Sequence, residues 1–192
     1  MRLAALAVLI VAGIIAATTK PISAQQPAAS CGSKLWDLKT VSDARRMLIY
    51  LRPRFATIAA INARPMPRST PVRRSRGFEH HVWRVVAQIT DYKLEDDGDI
   101  HLILFDHGDY MIAEMPSAAC LPRTTRKRRA IINTRRLFES SCGAATTHWQ
   151  SLGAVAYLSG VGFWDLPHGQ RGHARNYAEL HPVTGIRFIA GC

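Results

Sequence analysis

The sequence has few acidic residues and lacks the short motifs that identify common hydrolases. Its 192 residues include 14 Asp and Glu against 25 Lys and Arg, a formal net charge of +11. Neither H-E-x-x-H nor G-x-S-x-G occurs, so the usual zinc-peptidase and serine-hydrolase signatures are excluded. No internal repeat is visible, which excludes a repeat architecture. The positive charge favours anionic partners.

The longest apolar run lies at the N-terminus. Leu3 to Ala17 follows Arg2 and precedes a polar stretch that ends in "ISA" before Gln25, the layout of a secretory signal peptide. About 15 apolar residues fall short of the roughly 20 that span a bilayer. We therefore predict a signal peptide at residues 1–24, export to the periplasm or the extracellular space, and a mature chain without a transmembrane segment. An uncleaved anchor is the alternative.

Residues 25–78 are predicted to form an N-terminal helix and a linker. Apolar residues at helical spacing indicate a helix from Val41 to Tyr50, which ends before Pro53. Asn62 to Gly77 is rich in Pro and Arg and has no apolar periodicity, as is typical of an extended linker. No acid occurs from residue 44 to 78, against nine arginines. This segment is either a solvated tether or an arm that contacts a polyanion.

Residues 79–192 are predicted to form a β-barrel domain. Apolar and polar residues alternate in "HVWRVVAQITDY", "DIHLILFD" and "YMIAEMP", the last two joined by a turn at Asp106 to Asp109, which is typical of strands and a hairpin. A helix at 122–139 and strands at 152–163 and 178–189 follow. Three strands, a helix and two strands is the order of the OB-fold, a five-stranded Greek-key barrel. The predicted class is therefore mainly β (α+β), OB-fold-like with an extra N-terminal helix; a generic α+β domain is the alternative.

The four cysteines contain no C-x-x-C pair, and an even number in an exported chain indicates two disulfides. A bridge from Cys120 to Cys142 would have to span the intervening helix, about 24 Å long. The third and fifth strands of an OB-fold are parallel neighbours, so their carboxyl ends should meet. We therefore predict Cys120–Cys192 and Cys31–Cys142.

Strand alternation predicts a shared polar face on the outside of the barrel. If Ile100 and Leu102 point inward, the alternating residues Asp99 and His101 point outward. The same alternation turns Glu114 outward in the third strand and Glu179 and His181 outward in the fifth. OB-folds bind ligands across strands two and three, between the loops that join strands one and two and strands four and five. Carboxylates and imidazoles together suit a divalent ion, Zn, Mn or Ca. The predicted metal ligands are Asp99, His101, Glu179 and His181, with Glu114 as a ligand-binding residue. Two alternatives to a metal site are open. In one, the Glu and His residues form ordinary cross-strand pairs on the surface; in the other, His181 is buried and only orients the fifth strand through a hydrogen bond.

The stretch "FWDLPHGQRGHARNYAELHPV", residues 163–183, holds three of the eight histidines. An exposed, glycine-containing loop beside a scaffold commonly carries binding groups. We predict that it forms a mobile wall of the site. His168 and His173 are candidate general acids or bases, and Arg171 and Arg175 candidate stabilisers of a phosphate anion. The candidate ligand-binding residues are Trp164, Asp165, Gln170 and Asn176.

The strings "GVGFWDLPHGQRGHARNYAELHPV" and "YKLEDDGDIHLIL" resemble a pattern of small exported bacterial proteins of unassigned function. The resemblance covers residues 83–189 and implies no activity. The chain is more distantly similar, at the level of the fold, to staphylococcal nuclease, an exported basic OB-fold with acids and arginines around a calcium site. "DDGD" at Asp96 to Asp99 corresponds to the acidic turn. The nuclease pattern has no histidines at its site, and its catalytic arginines do not match this sequence one by one.

Three functions follow from these predictions. The first is a binding module for an anionic polymer, either nucleic acid or an envelope polymer, whose affinity falls with salt. Aromatic residues could stack bases or sugars where they reach the surface. The second is a metal-dependent phosphodiesterase or nuclease that uses the same polar face. The third is a structural envelope protein. The aromatic residues considered for stacking are Trp83, Tyr92, Tyr110, Trp164 and Tyr177.

Overall fold

The chain folds into a six-stranded sheet that closes on itself as a barrel. The computed structural model describes residues 31, 32, 34–167 and 169–192, so the predicted signal peptide lies outside the described residues. The predicted mainly β, α+β class is confirmed. Within the described part of the chain, no helix is both long enough and apolar enough to cross a membrane.

Strands supply most of the secondary structure, and the helices are short except for one. The α-helices are α1 (Trp36–Lys39), α2 (Ile58–Asn62) and α3 (Arg128–Cys142), and 3₁₀ turns occur at Arg46–Leu48, Phe78–His80 and Ala118–Cys120. The strands are β1 (Tyr50–Phe55), β2 (His81–Leu94), β3 (Ile100–Asp106), β4 (Asp109–Met115), β5 (Gln150–Trp164) and β6 (Ala178–Ala190).

The strand order is that of an OB-fold with one added edge strand. The sheet runs β1-β2-β3-β4-β6-β5, and β5 also pairs with β2, which closes a five-stranded barrel. Within the barrel only β4 and β6 are parallel, with Ile112 opposite Glu179. Helix α3 connects β4 to β5. This is the five-stranded Greek-key arrangement predicted from the order of elements.

The barrel interior follows from the two-residue period of the strands. Side chains of one parity, such as Val85, Ile89, Leu102 and Leu104, are fully buried in one apolar core, as expected when alternate residues face inward. Phe138 of α3 is buried in the same core. The outer side of β3, β4 and β6 is therefore left for polar residues, which positions the site described below.

The predicted helix from Val41 to Tyr50 is wrong. Val41 has a φ of +53°, a left-handed conformation that a β-branched residue rarely adopts and that interrupts a helix. Strand β1 then begins at Tyr50 and contains Pro53. Because β1 is an edge strand paired only with β2, a proline there need not remove a hydrogen bond from the sheet. Helix α3 also begins six residues later than predicted, after Lys127, whose φ is +63°.

The predicted disulfide pairing is wrong, although all four cysteines are bonded. The bridges are Cys31–Cys120 and Cys142–Cys192. Parallel pairing of β4 with β6 covers only residues near the start of β6, and β6 then continues along β5. Its end at Cys192 is thus carried away from the end of β4 and towards the C-terminal end of α3.

A close backbone approach in β5 gives a first testable prediction. A Cβ at Gly162 would lie 2.5 Å from the Phe78 carbonyl oxygen and 3.0 Å from Trp83 Nε1. We expect Gly162→Ala to lower the free energy of unfolding by about 1–3 kcal/mol, the usual cost of overpacking, as measured by urea unfolding. The control is Gly185→Ala in β6, where the nearest atom, Ser159 Cβ, is 3.8 Å away. Equal unfolding midpoints for the two variants would contradict the close approach.

Candidate functional sites

Carboxylates and imidazoles cluster on the outer side of β3, β4 and β6. His101 in β3 lies opposite Glu114 in β4, and Glu179 and His181 occupy alternate positions of β6, which adjoins β4. Asp99 immediately precedes β3. The same alternation that buries Ile100 and Leu102 in the barrel turns these side chains outward. We call these five residues, Asp99, His101, Glu114, Glu179 and His181, the polar centre.

His181 lies among three carboxylates of the polar centre. Its Nε2 is 3.2 Å from Asp99 Oδ2, and its Nδ1 is 3.1 Å from Glu114 Oε2 and 3.8 Å from Glu179 Oε2. One donor atom from each of Asp99, Glu114 and His181 lies within 4.8 Å of the other two. The structure therefore gathers residues of β4, β6 and the position before β3 around one imidazole.

Two further side chains contact Glu114. His101 Nδ1 is 3.3 Å from Glu114 Oε1 and also 3.3 Å from Glu95 Oε1. Lys39, from the end of α1, places its Nζ 3.9 Å from Glu114 Oε2. Glu114 is therefore the residue that links the centre to the N-terminal segment.

The polar centre is buried, which corrects the prediction of an open outer face. Asp99, His101 and His181 are 0% exposed, and Glu114 and Glu179 are 3% exposed. Segments outside the barrel cover them. The Arg171 carbonyl oxygen lies 3.2 Å from His101 Nε2, and Trp149 packs edge-on against the His101 ring at 5.3 Å.

The carboxylates of the polar centre raise the pKa values of its two imidazoles. Burial lowers the pKa of His101, but the carboxylates of Glu114 and Glu95 beside it outweigh this effect and raise that pKa to about 9. Burial likewise opposes the charged form of His181, yet Glu114 and Asp99 raise its pKa well above the ordinary value. Burial, assisted by Glu114 and Asp165, raises the pKa of Glu179 to about 7. The carboxylates thus stabilise positive charge next to them.

A cavity of about 240 Å³ connects the centre to the surface. Most of its ionisable lining residues are acidic, and one of them, Glu114, belongs to the polar centre itself. The lining residues are Lys39, Glu95, Asp96, Asp97, Glu114 and Gln170. An acidic opening in a strongly basic protein attracts cations locally.

The structure brings together three of the residues predicted from the 163–183 stretch: Gln170, Arg171 and His173 line one cavity of about 440 Å³, with Tyr110 beside them. The other described residues of this set lie apart from this cavity. Gln170 also lines the acidic cavity, and Asp165 is buried. Arg171 lies 3.4 Å from Asp91 and Arg175 3.4 Å from Asp109. His173 stacks on Tyr177 with 4.8 Å between ring centroids. His168 lies outside the described residues.

Two of these predicted ligand-binding residues have structural contacts instead. The Asn176 side chain donates to the carbonyl oxygens of Ile61 and Arg64, at 2.9 and 3.1 Å, and accepts from the Ala178 N–H. It therefore fixes the loop to the end of α2. Trp164 is buried in the core, as are Trp83 and Tyr92, so the prediction that these three rings stack a ligand is corrected.

A further concave surface, which the sequence did not predict, lies where β1, β2, β5, β6 and α3 meet. It is a groove of about 240 Å³ whose described lining includes no acid: Leu51, Pro53, Val82, Arg84, Lys127, Ala130, Ser159, Thr184 and Gly185. Arg84 extends over the Phe55 ring at 5.4 Å, and Arg187 over the Tyr157 ring at 4.3 Å. We call this surface, with Phe55, Tyr157 and Arg187 at its margin, the basic groove.

Only some residues of the polar centre and of the basic groove could be predicted from the sequence. Strand alternation could have placed Arg84 and Arg187 on the outside of the barrel, but it could not show that β1 and α3 border the same groove. Lys39, Glu95 and Trp149 carry no periodic signal, because they belong to short or irregular segments.

Comparisons with known proteins leave the family open. No family model matches the chain, and no curated protein matches it. Among solved structures, a protein assigned as an aspartyl-tRNA synthetase from Leishmania major Friedlin aligns over 74% of this chain with 11% identity and a TM-score of 0.42. Entamoeba histolytica asparaginyl-tRNA synthetase in complex with asparaginyl-adenylate aligns over 66%, with 10% identity and a TM-score of 0.37. The alignments span 22% and 25% of those two chains.

Proposed function

We propose that the protein is an exported OB-fold module that binds an anionic polymer, nucleic acid or an envelope polymer, in the basic groove. The observation that carries this proposal is the groove itself, where cations lie beside aromatic rings on a concave surface whose described lining has no acid. The two disulfide bridges support export, because disulfides persist mainly in oxidising compartments.

The groove contacts suit a polymer that has both phosphates and rings. Arg84 Nε donates to Ser159 Oγ at 2.9 Å, which fixes the guanidinium above Phe55. The Phe55 side chain is 70% exposed, so a base or sugar can stack on the free part of the ring, and Arg84 and Lys127 can contact phosphate oxygens. Stacking together with phosphate neutralisation is how single-stranded nucleic acids are commonly bound.

The polar centre is not suited to hold the polymer directly. Its buried carboxylates would repel a polyanion at short range, and its side chains are covered by other segments. From sequence, binding was predicted through the His, Asp and Glu face. We instead propose the basic groove, where β2, β5 and β6 meet β1 and α3.

A charge-matched pair of triple variants tests the proposal. The probe is a fluorescent single-stranded oligothymidylate, titrated by anisotropy at several salt concentrations. Replacing Arg84, Lys127 and Arg187 by alanine should flatten the slope of log affinity against log salt by about 2, since each phosphate contact on a single strand contributes roughly 0.7. The control replaces Arg68, Arg171 and Arg175 by alanine and should keep the wild-type slope to within about 0.5.

Equal losses in the two triple variants would show that net charge, and not the groove, binds the probe. A base-free inorganic polyphosphate distinguishes the polymer classes. If Phe55 and Tyr157 stack on bases, the polyphosphate should bind more weakly than the oligothymidylate at equal charge, and Phe55→Ala should weaken only the oligothymidylate. Equal affinity for both probes would favour a ring-free envelope polymer.

A further inference from the structure

We propose that Asp99, Glu114 and His181 bind one divalent transition-metal ion, Zn²⁺ or Mn²⁺, inside the polar centre. This inference concerns a different site from the basic groove and does not rest on polymer binding. Glu114 lies in β4, His181 lies in β6, and Asp99 immediately precedes β3, so the barrel positions all three donors.

The spacing of the donor atoms fits a coordination sphere. Metal–ligand distances of about 2.0–2.2 Å place tetrahedral ligands roughly 3.4 Å apart. His181 Nε2 lies 3.2 Å from Asp99 Oδ2, and its Nδ1 lies 3.1 Å from Glu114 Oε2. One ion can bind only one of these two ring nitrogens, so one of the two carboxylates has to turn towards the nitrogen that the ion uses. One donor atom from each of the three residues lies within 4.8 Å of the other two, so such a turn would direct one nitrogen and two oxygens at a common point.

The strongest observation is that these buried atoms lack hydrogen bonds. Within the described part of the chain, Asp99 Oδ2 and both ring nitrogens of His181 are shielded from solvent without a hydrogen-bond partner. They lie close to opposite charges, but not in the alignment that a hydrogen bond requires. Buried polar groups are nearly always paired. Asp99 Oδ2 and one of the two ring nitrogens of His181 are therefore available as ligands of an ion.

A buried ion pair elsewhere in the same structure provides the contrast. Arg74 is 0% exposed, and it donates two well-aligned hydrogen bonds to Asp43 Oδ2, at 2.8 and 3.1 Å. In the Arg74–Asp43 pair, protein groups alone therefore give a buried carboxylate well-aligned hydrogen bonds. Asp99 Oδ2 and the His181 ring nitrogens have no such hydrogen bonds, and we infer that a bound ion is their partner.

Charge points in the same direction. Asp99, Glu114 and Glu179 are all buried, and the groups that face them are the imidazoles of the centre and the Lys39 ammonium. Buried carboxylates require positive charge beside them, and a divalent cation would supply two such charges at this place. With the ion bound, His181 would contribute a neutral imidazole.

His101 and Glu179 occupy supporting positions. His101 contacts the Oε1 atom of Glu114, whereas His181 contacts Oε2. His101 can therefore orient a ligating carboxylate from outside the coordination sphere. Glu179 Oε2 is 3.8 Å from His181 Nδ1, and it is the further carboxylate available to complete the sphere. The metal set predicted from sequence thus changes, with Glu114 as a ligand and His101 as a positioning residue.

The donor types select the class of ion. An imidazole with two or three carboxylates suits Zn²⁺ or Mn²⁺. Ca²⁺ takes six to eight oxygen ligands, and Mg²⁺ prefers an octahedron of oxygens and waters, neither of which a compact set containing histidine supplies. The acidic cavity lined by Glu95, Asp96, Asp97 and Glu114 gives cations a path from the surface.

The test is a calorimetric titration of the disulfide-bonded protein, first treated with a chelator, with Zn²⁺, Mn²⁺ and Ca²⁺. We expect one equivalent of Zn²⁺ or Mn²⁺ to bind and Ca²⁺ to bind much more weakly. Asp99→Asn and His181→Gln should each weaken binding at least about 100-fold, and His101→Gln about 10-fold, since outer-shell changes typically cost 10–100-fold. Two variants outside the centre, Asp91→Asn and His81→Gln, should bind as the wild type does.

A second measurement is available if the variants of buried residues do not fold. Pulsed EPR of the wild-type protein with one equivalent of Mn²⁺ should show ¹⁴N coupling from a directly bound imidazole. The proposal is overturned if no saturable binding of Zn²⁺ or Mn²⁺ occurs, if Ca²⁺ binds more tightly than both, if folded Asp99→Asn retains wild-type affinity, or if the Mn²⁺ spectrum shows no ¹⁴N coupling.

Discussion

Replacing Arg74 by methionine is expected to lower the free energy of unfolding by about 3–5 kcal/mol, the usual cost of removing one partner of a buried ion pair. Arg74 is fully buried. Its guanidinium donates to Asp43 Oδ2 and to the carbonyl oxygens of Leu38, at 2.7 Å, and Glu79, at 3.3 Å. Without it, Asp43 would be a buried charge without its cation, and the two carbonyls would each lose a donor.

Neighbouring residues supply the controls for this prediction. Arg73→Met changes the adjacent, exposed arginine and should alter stability by no more than about 0.5 kcal/mol. Adding Asp43→Leu to Arg74→Met should recover part of the loss, because an apolar pair replaces a broken ion pair. Guanidinium unfolding of the wild type, Arg74→Met, Asp43→Leu and the double variant measures the coupling between the two residues. A loss below about 1 kcal/mol for Arg74→Met would contradict the assigned role.

Arg74 also illustrates why the N-terminal region could not be predicted from sequence. The segment without acids suggested a solvated tether or a polyanion arm, since arginines are seldom buried. The carboxylate that pairs with Arg74 belongs to Asp43, 31 positions earlier in the chain. Composition alone does not reveal such a pairing, so a buried structural arginine was grouped with exposed ones.

The barrel was predictable for a physical reason that the N-terminal region lacks. In β2 and β3 one face packs in the core, so apolar residues recur every second position and the period is visible in the sequence. Strand parity then placed Asp99, His101, Glu114, Glu179 and His181 on one side, and the structure brings them together. What strand alternation cannot show is which chain segments lie over the outer face, and these segments bury the centre.

The two concave surfaces are separated by charge as well as by position. The polar centre on β3, β4 and β6 has an acidic opening, whereas the groove bordered by β1, β2, β5 and β6 has cations. OB-folds commonly bind ligands on the face that here holds the centre. In this chain the N-terminal segment with Lys39 covers that face. A polyanion and a cation would therefore select different surfaces of one barrel.

The attachment of that covering segment leads to the second large effect. Cys31–Cys120 joins residues 89 positions apart, and Cys142–Cys192 joins residues 50 positions apart. Loop entropy predicts that replacing either pair by serine lowers the free energy of unfolding by roughly 4–5 kcal/mol. Thermal and denaturant unfolding should therefore show similar losses for the two double variants.

Local hydrogen exchange should separate these two double variants. Cys31 lies just before α1, and Trp36 of α1 donates to the Cys120 carbonyl oxygen at 3.2 Å, so the bridge to Cys120 holds the segment that places Lys39 over Glu114. Removing it should raise amide exchange in residues 34–43 at least about tenfold, because local opening no longer has to stretch a covalent tether. Removing Cys142–Cys192 should instead raise exchange at the end of α3. Unchanged exchange at residues 34–43 in the variant without Cys31–Cys120 would contradict this role of the disulfide. Packing and the Arg74–Asp43 pair would then be sufficient to hold the segment over the polar centre.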